Sequence, residues 1–287
     1  MSEVTILGAG AVGALLGVAL AEAGVATTLV TREASAAALR RDGLLVESPR
    51  LGDGRRRPHV ATAVAGAPAV LLVATKAPGL HDALARVEGE PGIVVPLLNG
   101  VDHLAPLRER FGAGRVVAGS VRVQAHRAGA THVVHRSPML LVTVAEPGAP
   151  ALEDALRAAG VDVGPRAPEP TVLWGKLSRL AALALATTAA DAPLGTVRAE
   201  AEAVAHEVAA VARAEGADVE AATVVGELRD LPDDASSSLR ADVVAGVAEH
   251  ELDAIGGAVL RAAARHDLPA PATAELVRRA RARAELG

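Results

Sequence analysis

The chain has 287 residues, enough for two domains that each bury a core of their own. Only 1% of the residues are aromatic and the net charge is −5, so no stacking platform for single-stranded bases and no nucleic-acid partner is expected. The chain contains no cysteine, which excludes disulfides, thiolate metal sites and a cysteine nucleophile.

The N-terminal segment could be confused with a signal peptide, because residues 4–23 are nearly all apolar or small. Glu3, however, stands where a signal peptide carries basic residues. The glycines and Glu22 inside the segment fit a strand, turn and helix better than a membrane span of about 20 residues. We therefore expect a cytoplasmic protein with no membrane partner.

The first half alternates short β-branched runs with Ala/Leu-rich stretches at helical spacing, which is typical of an α/β fold built from βαβ units. We predict a Rossmann-like domain with a mostly parallel sheet and an aliphatic core. The predicted strands are 4–7, 26–31, 69–73, 93–96 and 116–118, and the predicted helices are 11–23, 79–87 and 102–110. A hairpin of strands 131–135 and 139–144, a helix at 149–159 and a short strand at 161–163 complete the domain.

A proline-rich stretch at 165–170 cannot continue a helix, so we place the domain boundary there, with domains at 1–167 and 168–287. The second domain is predicted to be all-helical, with helices at 171–190, 197–215, 219–229, 236–247, 249–266 and 272–284. Its alanine-rich faces could pack in the domain's own core or against another subunit, so a homodimer is one candidate assembly.

A glycine motif follows the first predicted strand and opens the first predicted helix, the context expected of a dinucleotide-binding turn. Gly8 permits the tight turn, Gly10 lets a diphosphate approach the backbone, and Gly13 lets the helix pack on the strand. The helix N-terminus then offers unpaired N–H groups to the phosphates. The predicted cofactor-binding turn is Gly8, Ala9, Gly10, Ala11, Val12 and Gly13.

The residues after the second strand indicate which dinucleotide is bound, since an acidic residue there takes the ribose 2′-hydroxyl of NAD. Here Thr31 and Arg32 could both meet the 2′-phosphate of NADPH, with Arg32 supplying a planar fork of donors. Glu33 would repel that phosphate unless it points away at the start of the next helix, where an acid suits the helix dipole. NADPH is the favoured cofactor.

Seven segments, taken in order across both predicted domains, form a recognisable pattern. They are the glycine turn with Arg32, Val73-Ala-Thr-Lys76, Leu98-Asn99-Gly100-Val101, Val117-Ala-Gly119, Leu173-Trp-Gly-Lys176-Leu177, Ser237-Ser238 with Asp242, and Glu251-Leu-Asp253 leading to Gly256-Gly257. In these segments the chain resembles the ketopantoate reductases (2-dehydropantoate 2-reductases), and the resemblance extends over nearly its whole length.

The resemblance implies that Lys176 is the catalytic acid and that Glu251 lies in the active site. It also implies that Asn99 and Lys76 line the cleft by the nicotinamide and that Ser238 meets the substrate carboxylate. The chemistry agrees, because hydride delivery to a ketone creates an alkoxide that a nearby cation can stabilise and then protonate.

Each of these residues also has a purely structural interpretation. Lys176 could be an exposed residue of its helix, and Glu251 could be one of the acids that helix starts attract. The dipeptide at Asn99 is a common turn, and Ser238 could cap a helix. The nine histidines, His135 among them, show no metal-ligand spacing, so we expect them at the surface and expect no metal site.

Two positions depart from the family pattern. Leu180 and Ala184 stand where the family carries asparagines that hydrogen-bond the substrate, on the same helix face as Lys176 by their spacing of four. This predicts an apolar wall at the substrate site, which would lack polar partners for a hydroxylated keto acid. The stretch between Asp242 and Glu251 is also one residue longer than the usual pattern.

The leading hypothesis is therefore NADPH-dependent reduction of a small-molecule 2-oxo acid, ketopantoate first, with the proton supplied by Lys176. One alternative is a related reductase that acts on a more apolar ketone. The other is a non-catalytic protein that senses NADPH, for which the glycine turn and Arg32 would be sufficient.

Overall fold

A computed structural model of the chain describes residues 3–285. These residues divide into two compact units. The first contains the described residues up to Leu98 together with His103–Ala167, and the second contains Asn99–Asp102 and the described residues from Pro168 onward. The short segment Asn99–Asp102 thus belongs to the second unit. A single boundary after residue 167 would place it in the first.

The first unit contains ten strands and five α-helices among its described residues. The strands are β1 (Val4–Leu7), β2 (Thr27–Val30), β3 (Leu44–Glu47), β4 (Gly54–Arg56), β5 (His59–Ala61), β6 (Val70–Val73), β7 (Ile93–Pro96), β8 (Gly119–Gly129), β9 (His132–Val144) and β10 (Asp162–Val163). The helices are α1 (Ala11–Glu22), α2 (Glu33–Asp42), α3 (Leu80–Leu84), α4 (Leu104–Phe111) and α5 (Pro150–Ala158).

The central sheet has the order β5-β2-β1-β6-β7 and is parallel throughout. Strands β1 and β6 are buried at every residue, as expected for parallel strands whose two faces are both covered. The buried cluster around them consists of alanine, valine, leucine and isoleucine side chains. The predicted Rossmann-like fold with an aliphatic core is confirmed.

The second sheet corrects the prediction for residues 131–144. Strand β9 is continuous and pairs antiparallel with β8, so the hairpin joins β8 to β9 rather than two halves of β9. Val123 pairs with Leu140 and Ala125 with His135, which leaves residues 136–139 opposite Gln124 as an irregular stretch. Pro138 lies in that stretch, where the ladder requires no backbone donor, so the proline marks a bulge and not a turn.

Two smaller expectations for this unit were also wrong. Residues 116–118 form no strand and touch the sheet edge through one bridge between Val94 and Val116. His135 is buried, at 2% exposure, because its two ring nitrogens lie 2.9 Å from the Ser48 hydroxyl and 3.0 Å from the Met139 carbonyl oxygen. Both ring nitrogens have hydrogen-bond partners, so His135 can be buried, contrary to the expected surface position.

The second unit is helical. Its elements are α6 (Glu169–Ala190), α7 (Leu194–Ala214), α8 (Ala221–Arg229), α9 (Ser238–Val244), a π-helical turn (Asp253–Gly257), α10 (Ala258–Arg265) and α11 (Pro271–Ala284). The predicted helix 249–266 thus begins later, and its first turn is π-helical. π-Helical turns are frequent at functional sites.

The alanine-rich faces of α6 and α7 pack within this unit. Ala181, Ala184, Ala201 and Ala205 are fully buried in its apolar cluster. Small side chains let the two helices approach closely, so these faces serve the unit's own core. Among residues 3–285, no helix is both long and apolar enough to cross a membrane.

Candidate functional site

The glycine turn between β1 and α1 can be formed only by glycine at two of its positions. Gly8 has φ +107°, and a Cβ there would lie 2.9 Å from the carbonyl carbon and oxygen of Ala74. A Cβ at Gly13 would overlap the carbonyl oxygen of Gly8. Strand β1 and helix α1 therefore approach each other as closely as a dinucleotide-binding turn requires.

The N-terminus of α1 has the character of an anion site. Gly10 is the N-cap and is exposed, no side chain caps the helix, and the first turn carries no acidic residue. Ala11 and Val12 are partly exposed beside it, whereas Ala9 is buried. The uncapped backbone N–H groups and the positive end of the helix dipole fit the diphosphate of a dinucleotide.

Arg32 follows β2 as the N-cap of α2, and its side chain is exposed. Glu33 is the first residue of α2, as expected, and its carboxylate lies 3.7 Å from the guanidinium of Arg40 on the same helix. The negative charge of Glu33 is thus offset within α2. Lys76 is exposed and follows β6, immediately before a short 3₁₀ turn.

Asn99 and Glu251 are brought into direct contact in the second unit. The Nδ2 of Asn99 donates a hydrogen bond of 2.8 Å to Oε2 of Glu251, across 152 residues of sequence. Glu251 is only 8% exposed, so this bond satisfies a carboxylate that water barely reaches. Asn99-Gly100 is part of a turn, but the turn also holds a polar pair in place.

Two further contacts fix the segment Asn99–Asp102 against the π-helical turn. Gly100 has φ +84°, and a Cβ there would overlap the carbonyl oxygen of Ala254. Arg261 on α10 donates to the Asp102 carboxylate at 2.7 Å and to that of Asp253 at 3.0 Å. These hydrogen bonds, that to Asp253 foremost, raise the pKa of the Arg261 guanidinium above its ordinary value.

The contacts of Arg261 with Asp102 and Asp253 were not predicted from the sequence. Asp253 and Arg261 are eight residues apart, a spacing that turns about 80° around an α-helix and so does not indicate a side-chain pair. Nothing in the sequence pointed to Asp102, which lies more than a hundred residues earlier and meets Arg261 only through the fold.

Lys176 lies on α6, where Trp174 and Leu177 are buried and Lys176 itself is partly exposed. Helix α6 packs closely on the π-helical turn, since a Cβ at Gly256 would come within 3.0 Å of the Leu185 side chain. The helix that carries Lys176 is therefore packed on the turn that follows Glu251.

The two residues of the predicted apolar wall differ in exposure. Leu180 is partly exposed, but Ala184 is fully buried in the helical core. Each step of four residues turns about 40° around an α-helix, so position 184 has rotated about 80° away from Lys176. That rotation takes Ala184 to the core side of α6, so its place at the substrate stays a prediction that its burial does not support.

The serines at the start of α9 have separate roles. Ser237 is the N-cap, and its hydroxyl accepts a 3.1 Å hydrogen bond from the backbone N–H of Arg240. The Ser237 hydroxyl also lies 3.2 Å from that of Thr187 on α6. Ser238 is the first helical residue and is exposed. The cap is thus Ser237, which leaves the hydroxyl of Ser238 at the surface.

Within the described part of the chain, no group of three or more metal-binding side chains converges on one point.

Comparison with known proteins identifies the family. The family described as ketopantoate reductase PanE/ApbA matches residues 4–147, and its C-terminal part matches residues 171–284. A 2-dehydropantoate 2-reductase of Caulobacter vibrioides is 30% identical over 96% of this chain and 97% of its own.

Two solved structures share the fold over 99% of both chains. A PanE/ApbA family ketopantoate reductase from Ralstonia eutropha is 26% identical, with a TM-score of 0.86. A D-mandelate dehydrogenase, solved with NADH and anilino(oxo)acetate, is 18% identical, with a TM-score of 0.88. The two family matches span most of the chain, and the relative from Caulobacter aligns over nearly its whole length. The chain therefore belongs to the ketopantoate reductase family, whose members are NADP-dependent oxidoreductases that act on CH–OH and C=O groups.

Proposed function

We propose that this chain reduces a 2-oxo acid to the 2-hydroxy acid with NADPH, and that ketopantoate is the leading substrate. The observation that carries the proposal is the 2.8 Å hydrogen bond between Asn99 and the buried carboxylate of Glu251. A protein that only senses NADPH has no need to hold a buried carboxylate and an amide together in the same unit as Lys176.

The glycine turn and Arg32 would hold NADPH, which when bound would supply the hydride for the keto carbon. Lys176 stabilises the negative charge that develops on the keto oxygen and donates a proton from Nζ to that oxygen. Lys176 then regains its proton from solvent. Its flexible ammonium suits this role because it can follow the oxygen as the carbon changes geometry.

Glu251 and Asn99 orient the polar groups around that oxygen. Because Nδ2 of Asn99 donates to Glu251, the amide orientation is fixed and Oδ1 is directed away as an acceptor.

The preference for NADPH rests on Arg32. An exposed guanidinium directly after β2 is placed to meet a 2′-phosphate. The acidic residue that could oppose this, Glu33, is offset by Arg40.

A more apolar 2-oxo acid is the second candidate, and Leu180 is the observation that favours it. A partly exposed leucine one helical turn from Lys176 offers no hydrogen bond to a substrate hydroxyl. The similar fold of a dehydrogenase named for mandelate agrees with a site that accepts apolar groups.

The experiment that tests the proposal measures loss of NADPH absorbance with ketopantoate and with a panel of 2-oxo acids that carry apolar side chains. We expect turnover of at least one of these acids. NADPH binding without turnover of any of them would contradict the reductase function and support a sensor.

Replacing Lys176 by alanine should lower kcat by about 10²- to 10⁴-fold, the usual contribution of a positioned acid. The affinity for NADPH should stay unchanged, because Lys176 acts on the substrate oxygen. Arg179→Gln is the matched control, since Arg179 lies on the same helix and pairs with Glu227 at 3.4 Å. Full activity of Lys176→Ala would remove this residue from the mechanism.

Arg32→Ala should weaken NADPH binding by about 10- to 100-fold, the loss expected for charge-assisted hydrogen bonds to a phosphate, and leave NADH binding nearly unchanged. Titration of both cofactors measures the two effects. The control is Arg41→Ala, because Arg41 lies on α2 and pairs with its neighbour Asp42. Equal loss for both cofactors would contradict the assignment of Arg32 to the 2′-phosphate.

Leu180→Asn should raise kcat/KM for ketopantoate and lower it for apolar 2-oxo acids, by about tenfold in the ratio of the two. The reason is that the new amide supplies a partner for the substrate hydroxyl and removes apolar surface. If both values of kcat/KM fall by the same factor, Leu180 does not face the substrate.

A further inference from the structure

Arg127 reaches the glycine turn from the hairpin of the second sheet. It lies near the end of β8, and its Nη1 donates a 2.9 Å hydrogen bond to the carbonyl oxygen of Ala9. Its other donors bind the carbonyls of its own hairpin, Nε to Gly129 at 3.1 Å and Nη2 to Ala130. The guanidinium is therefore anchored at the hairpin and aimed at the turn.

The hydrogen bond to Ala9 controls the direction of a second group. The carbonyl of Ala9 and the N–H of Gly10 belong to one planar trans peptide, so the two point in opposite directions. Fixing the carbonyl thus fixes the direction in which Gly10 presents its N–H. A cation on the carbonyl also polarises the peptide, which makes that N–H a stronger donor.

The charge of Arg127 has no carboxylate partner among the described residues, because its hydrogen bonds all go to backbone carbonyls. Partial burial without such a partner lowers the pKa of Arg127 from its usual value. Arg50 in the same unit gives the contrast. It binds the carbonyls of Pro138 and Gly160 in the same way but also forms a bidentate pair with Asp162, and that pair raises the pKa of Arg50.

A half-buried cation beside an uncapped helix N-terminus adds to the positive potential there. The dinucleotide diphosphate is the group of opposite charge that the proposed function brings to this turn. We propose that Arg127 is a positioning residue for the cofactor, which holds the glycine turn through the Ala9 carbonyl and offsets the charge of the diphosphate. This inference rests on the proposed binding of NADPH at the turn.

The diphosphate is common to NADPH and NADH, so the effect of Arg127 should not discriminate between them. Arg127→Gln should raise the Kd of both cofactors by a similar factor, about tenfold, and leave kcat at saturating NADPH within about twofold. Arg127→Lys keeps a cation but loses the fork of donors. Its Kd for each cofactor should therefore lie between that of the unchanged protein and that of Arg127→Gln. Adenosine 2′-monophosphate, which has no diphosphate, should bind Arg127→Gln as it binds the unchanged protein.

The matched control is Arg50→Gln, which removes a similarly anchored arginine from the same unit and should leave all three Kd values unchanged. The Tm of each variant is measured beside its Kd values. The inference is overturned if Arg127→Gln binds both cofactors normally, if it loses adenosine 2′-monophosphate to the same degree, or if Arg50→Gln weakens NADPH equally. Failure of the unchanged protein to bind NADPH would instead contradict the proposed function itself.

Discussion

The buried carboxylate of Glu251 imposes the constraint on which the candidate active site depends. A carboxylate at 8% exposure is costly unless a donor satisfies it, and the side chain of Asn99 supplies that donor. The donor comes from a segment directly after β7, so the requirement of one acid ties two distant parts of the chain together. Gly100 and the Asp102–Arg261 ion pair make the same connection by close packing and by charge.

At the glycine turn, by contrast, the proposed cofactor site is formed by the backbone and not by side chains. The turn contributes no ionisable group, so the electrostatics of the proposed cofactor site come from neighbouring elements. Arg32 follows β2 as the N-cap of α2 and is the proposed partner of the ribose phosphate, and Arg127 on β8 binds the carbonyl of Ala9. One arginine at the start of α2 and one on β8 would thus each bind a different part of the same ligand.

The sequence predicted those features that depend on local pattern. Strands β1 and β7, the glycine turn and the helical second unit follow from periodicity and from glycine positions, which the chain displays over a few residues. The β8–β9 pairing was missed because Pro138 looks like a turn signal but lies at a bulge. His135 was wrongly expected at the surface, and the burial of Ala184 was not anticipated, because burial depends on packing partners that are far away in the sequence.

The residues of the candidate site also differ in how well the sequence could predict them. Glycine positions and the charge at residue 32 could be interpreted locally, and the family resemblance supplied Lys176, Glu251 and Asn99. Arg127 and Arg261 gave no signal, because an isolated arginine has no pattern and its partners are backbone carbonyls or distant acids. Contacts of this kind become visible only after the chain has folded.

We infer that Asn99 and Glu251 act as one unit in the proposed reductive site. A double-mutant cycle with Asn99→Ala and Glu251→Gln, measured as kcat/KM for the 2-oxo acid that turns over best, tests this inference. If the hydrogen bond organises the site, the two losses are strongly coupled, and the double variant is no less active than the less active of the two single variants. If the two losses multiply, the residues act independently and the hydrogen bond does not organise the site.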